Sequence, residues 1–151
     1  RLWSIVIGGN LIGALMSAGL LRLAEPVIGA SAGYIEIGQH LIGPSSFSLL
    51  ISAILAGWLM ALGAWLILAT PPGLAEIVSI FIVTVLIGLG GLHHSIAFAV
   101  EMFVAVFTSS EFTIADSARF IGLALLGNLI GGSVFVATLN YAHIRETQRT
   151  E

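Results

Sequence analysis

The chain is 151 residues long, 58% hydrophobic and only 9% charged, where a soluble domain carries about 25% charged residues. With a mean hydropathy of +1.07, it reads as an all-α integral membrane protein whose first partner is lipid. A formal net charge of −3 argues against nucleic acid, and the lack of any cysteine excludes disulfides and thiolate metal sites, so no metal or cofactor is expected.

In chain order, a first span covers about Leu2–Leu21 and contains Gly8-Gly9-Asn10-Leu11-Ile12-Gly13. It is too long for a signal peptide and has no cleavage pattern. Arg22 to Gln39 reads as a polar connection with room for a short interfacial helix. A second span, about Ser45–Ala69, follows Pro44 and carries Trp58 and Trp65. Thr70-Pro71-Pro72-Gly73 is a turn that cannot continue a helix. The third apolar stretch runs from Ile77 to Phe107. After a polar segment, Ser109–Ser117, a fourth span covers about Phe120–Ala142, and His143–Glu151 is a tail. Four crossings put both ends of the chain on one side, with Arg1, Arg145 and Arg149 against Arg22 and Arg119 on the other. The positive-inside rule makes both termini cytoplasmic.

The third stretch is the unusual one. Its roughly 31 residues, uncharged until Glu101, would make a helix of about 46 Å, against a hydrocarbon core of about 30 Å. Gly88, Gly90, Gly91, His93 and His94 sit near its middle, where glycine weakens a helix and histidine is expensive in lipid. The economical solution is two half-helices with a break between about Gly88 and Ser95. Irregular backbone at that depth survives only inside protein or along a watery cavity. A broken span with ionisable groups therefore points to a transport path.

The chain also repeats itself. Gly-Asn-Leu-Ile-Gly occurs at Gly9–Gly13 and at Gly127–Gly131, each time eight residues after an arginine, Arg1 or Arg119. The two copies lie three crossings apart and so run in opposite directions, as in an inverted repeat. The spacing of glycines is also what plain helix packing in a membrane uses. If the last span closes a three-span half, the first span closes another half, and two spans would precede Arg1.

These residues resemble the formate/nitrite transporter family, pentameric channels and transporters for small monovalent anions. Gly91-Leu92-His93-His94-Ser95-Ile96-Ala97-Phe98 is similar to the family pattern in its broken fifth span. Gly127-Asn128-Leu129-Ile130-Gly131-Gly132, with Tyr141 after it, is similar to the sixth. The first span here resembles the family's third, and Gln39-His40 with the second span its fourth. The resemblance implies an aquaporin-like six-span protomer in the inner membrane. This chain would be a single, partial membrane domain over residues 1–151, corresponding to spans three to six, with a homopentamer as the assembly. His94 matches the histidine that faces the pore centre and is proposed to exchange a proton with a weak-acid anion. His93 stands where the family has a structural glutamate, and Phe98 where it has asparagine. Ile87 falls at a constriction phenylalanine, and Leu41 near an outer lysine thought to attract anions.

The implied substrate pathway comprises His94, His93, Ser95, Asn128, Asn10, Ile87 and Phe98. A histidine on unwound backbone can donate to an anion or titrate with it, or simply satisfy a neighbouring carbonyl. Asn10 and Asn128 hold equivalent repeat positions and either complete the path or bond between helices. Ile87 and Phe98 either gate the path or pack. Glu101 lies one heptad after His94 and either holds a proton, pairs with an arginine or meets another subunit. The implied function is a channel or transporter for formate, nitrite or a similar anion. The alternatives are a non-conducting scaffold subunit and a haem-binding subunit, the latter poorly served because His93 and His94 point apart and His40 and His143 lie near span ends. No hydrolase pattern is present, since Ser95 and His94 are chain neighbours and do not face each other; an enzyme is not expected.

Overall fold

The computed structural model describes residues 1–147. Among them the only regular structure is helical: α1 (Leu2–Leu23), α2 (Glu25–Ile28), α3 (Ser31–Ile42), α4 (Ser46–Ala69), α5 (Leu74–Leu89), α6 (Ala99–Thr108) and α7 (Ile114–Thr147). Among the described residues three stretches are long and apolar enough to cross a membrane, Leu2–Leu23, Ser46–Ala69 and Ile114–Leu139. The expected broken span is the pair α5 and α6. At 1.5 Å per residue these are about 24 Å and about 15 Å long, so neither half crosses a core of about 30 Å by itself. The break runs later than the sequence placed it, ending only where α6 begins at Ala99. Arg149, used for orientation, lies outside the described residues, as do the side chains of His143 and Arg145.

The helices fall into two compact units. The first holds Arg1–Leu49 and Ser95–Leu125. Here α6 packs against both α1 and α3. A side chain at Gly38 of α3 would meet Ala105 Cβ at 2.7 Å and the Phe112 ring at 2.8 Å, so the helix approaches through its glycine. The sequence reading took 22–39 as a polar connection with room for a short helix; α3 begins inside it and runs on to Ile42. Glu36, Gln39 and His40 dilute its apolar residues, and what makes it a helix is this distant packing. The bend before it is set by Glu25, whose Oε1 accepts the Ser31 N–H at 2.8 Å and the Ser31 hydroxyl at 2.6 Å. That hydroxyl bond holds the Glu25 carboxyl below the usual carboxylate range.

Arg119 of α7 fixes the turn after α3. It donates to the Ile42 carbonyl (3.0 Å), the Pro44 carbonyl (2.6 Å) and Ser46 Oγ (3.1 Å), and so supplies donors to the carbonyl end of α3. Thr113 and Asp116 open α7 with a reciprocal cap. The Thr113 N–H donates to Asp116 Oδ2 and the Asp116 N–H to Thr113 Oγ1, at 2.9 and 3.1 Å. That cap starts α7 six residues before the expected Phe120.

The second unit holds Leu50–His94 and α7 from Leu126 onward. Here α4 and α7 meet through small residues on both sides. A Cβ on Gly127 would stand 2.5 Å from Ala53 Cβ, and one on Gly57 would stand 2.6 Å from Asn128 Cα. One on Gly131 would collide with the Ile54 carbonyl. Close backbone approach of this kind is the main source of helix attraction in lipid, where apolar burial alone gives none. Trp58 and Phe135 continue the seam with an edge-on ring contact, centroids 5.6 Å apart.

Candidate functional site at the helix break

The break begins with a helix end that closes on itself. The Leu92 N–H donates to the Ile87 carbonyl at 3.0 Å and the Gly91 N–H to the Gly88 carbonyl at 3.1 Å. That is a Schellman motif, which needs a left-handed residue at its centre. Gly91 supplies it with φ +57°. The glycines that the sequence marked as helix-weakening thus end α5 while satisfying its last carbonyls.

The backbone beyond Leu92 is held by side chains from two helices of the same unit. Ser52 Oγ, on α4, accepts the His93 backbone N–H at 3.1 Å and lies 2.9 Å from His93 Nδ1. A serine hydroxyl that accepts still has its own proton to give, which suits Nδ1 as acceptor and the neutral Nε2–H ring. Asn128 Nδ2, on α7, donates to the His93 carbonyl at 3.1 Å and to the Ala53 carbonyl at 2.8 Å. One amide therefore ties the break to α4 and α7 together. His93 is only 3% exposed and is fastened by ring, N–H and C=O. His94, the next residue, is half-buried.

Of the residues expected in the pathway, the structure brings together His93 and Asn128, with His94 next to His93 in the chain. Ile87 is in the last turn of α5, 6% exposed. In the first unit, Ser95 is 2% exposed and Phe98 is the N-cap residue of α6, without a side-chain cap. Asn10 is exposed, and its amide turns back to the Val6 carbonyl of its own helix at 2.8 Å. It lies in an open groove of about 570 Å³ lined by one face of α1, including Gly9 and Gly13, and by Ile96 and Val100. The repeat copies thus differ: Gly127 and Gly131 are packed to contact, whereas nothing lies within 4 Å of a Cβ on Gly9 or Gly13.

Ser52 was missed by sequence reasoning; its only signal was a hydroxyl inside an apolar run. The Ala53 carbonyl gave no signal. An arginine partner for Glu101 is not found among the described residues: Arg22 donates to the Phe107 carbonyl and Arg119 to the turn after α3. Among the described residues no three His, Asp or Glu side chains gather where a metal ion could sit.

An all-helical chain with a glycine-ended break at mid-span restricts the family, and the comparison with known families decides it. Residues 1–142 match the model of the formate/nitrite transporter family. The chain belongs to that family. Two curated relatives frame it. It is 30% identical over 147 residues to the inner membrane protein YfdC of Escherichia coli (strain K12), covering 96% of this chain and 46% of that protein. It is 31% identical over 159 residues to the uncharacterized transporter YrhG of Bacillus subtilis (strain 168), covering 99% and 58%. The chain therefore spans about half the length of the curated relatives it matches. No solved structure matches it. The family-like motif Gly91–Phe98 is the segment whose His93 is held by Ser52 and Asn128.

Proposed function

We propose that this chain forms part of a membrane channel or transporter for small monovalent weak-acid anions such as formate or nitrite, with His94 as its central polar group. The observation that carries the reading is the fastening of His93, which presents the adjacent His94 on irregular backbone. Apolar residues around such a break reject a bare charge. A histidine there offers a hydrogen bond to the anion and a proton to convert it to the neutral acid, which crosses an apolar constriction far more easily. Ile87, Phe98, Ser95, Asn128 and Asn10 complete the proposed path, and His93 positions its neighbour. The chain corresponds in this reading to spans three to six of a protomer. That protomer assembles as a homopentamer in the inner membrane, with both termini of these residues cytoplasmic, and its role is transport rather than catalysis.

The test is His94→Phe in the full-length protein, reconstituted in liposomes. Flux of formate or nitrite is expected to fall at least about tenfold, corresponding to about 1.4 kcal/mol on the barrier. His94→Gln is expected to keep anion binding and flatten the pH profile, because an amide donates without titrating near neutrality. Unchanged flux and pH profile in an assembled His94→Phe protein would show that the histidine is structural.

A further inference from the structure

Glu101 lies in the first turn of α6, with Met102, Val104 and Ala105 beside it fully buried. It is half-buried, and its Oε2 is shut off from the surroundings with no hydrogen-bond partner among the described residues. Three charged groups of the elements around it are engaged elsewhere. Arg22 of α1 donates to the Phe107 carbonyl, at the far end of α6. In the part of α7 that belongs to this unit, Arg119 grips the turn after α3 and Asp116 caps Thr113. The ionisable groups of α3 are Tyr34, Glu36 and His40, and its Gln39 donates to Glu111. Among the described residues no cation reaches Glu101.

The positive end of α6 favours an anion in its first turn, but only modestly. A carboxylate with one oxygen withdrawn from water, and with no side-chain donor or counter-charge beyond its own backbone N–H, is opposed more strongly. We propose that Glu101 is a proton-binding site within the membrane, carrying a proton at neutral pH and releasing it in alkali. This stands independently of the role given to His94. It adds a second titrating group on the same broken span, and when protonated it leaves the positive end of α6 uncompensated.

The probe is dicyclohexylcarbodiimide, a hydrophobic reagent that enters lipid. A protonated carboxyl gives its proton to a carbodiimide nitrogen while its oxygen adds to the central carbon. The O-acylisourea so formed rearranges to a stable N-acylurea, with no atom lost. Full-length protein in liposomes should be labelled at Glu101 at neutral pH, as read by mass spectrometry of its peptides. The rate should fall about tenfold per pH unit once the group ionises. Glu101→Gln should abolish the label together with the protonated-carboxyl C=O band in infrared difference spectra. Wild-type protein carries both readouts, so the test does not depend on the variant folding. An unlabelled Glu101, or a carboxylate band in place of the acid band at neutral pH, overturns the proposal and assigns the residue to an ion pair.

Discussion

Three backbone and ring atoms of His93 are bonded by the side chains of Ser52 and Asn128. Asn128→Ala leaves the His93 carbonyl without its donor, and is expected to cost about 1–2 kcal/mol, measured by denaturant titration in mixed micelles. The double variant with Ser52→Ala should cost less than the sum of the singles, because either loss already loosens His93; strict additivity would show that the two residues act separately. His93 and Asn128 stand out in the sequence, one by its depth and one by the repeat. Ser52 does not, since a hydroxyl in an apolar helix commonly bonds its own backbone, as Ser79 and Thr84 do here to the Ala75 and Ile80 carbonyls. Glu25 gives a pH effect at the same scale. Its carboxyl is held low by Ser31, so its contribution is fully present at neutral pH and is lost as pH falls through that lowered value. The protection of the Ser31 amide against exchange, taken relative to its intrinsic rate at each pH, should fall in acid, and Glu25→Gln should remove that acid step.

At the scale of the helix, the two copies of Gly-Asn-Leu-Ile-Gly make opposite predictions. Gly131→Ala forces a Cβ onto the Ile54 carbonyl and within 2.9 Å of the Trp58 N, so α4 and α7 must separate. A loss of about 1–3 kcal/mol is expected. Gly13→Ala meets nothing within 4 Å and should gain about 0.5–1 kcal/mol from better helix propensity in residues 1–151 alone. Thermal unfolding of the two variants in one detergent compares them directly. The repeat itself was readable from identity and spacing, but not which copy is packed, because packing belongs to α4. The break was readable for the same kind of reason, an excess of apolar length with glycines in the middle. Its far end was not: Ile96, Ala97 and Phe98 are apolar, and nothing in their pattern keeps them out of α6.

Across the whole chain, large apolar side chains face outward; Trp3, Ile12, Met16 and Leu20 of α1 are all more than half exposed. In water such a surface aggregates, and in lipid it meets its own kind. Composition alone made this legible. The groove on α1 was not, because it is a gap and gaps leave no pattern in the sequence. With the chain spanning about half of its relatives' length, residues 1–151 reconstituted alone are expected to insert but not to pass formate or nitrite. Sustained flux from such liposomes, above that of empty ones, would contradict the correspondence with spans three to six.

A residue fastened by its N–H, its C=O and its ring has no torsion left to move without breaking a bond. The backbone entering His94 is therefore held in place from α4 and α7. In the role proposed for His94, flux is expected to respond to the size of the side chain at 94 more than to changes that stiffen α4 or α7, as a series of substitutions at 94 in the full-length protein would show.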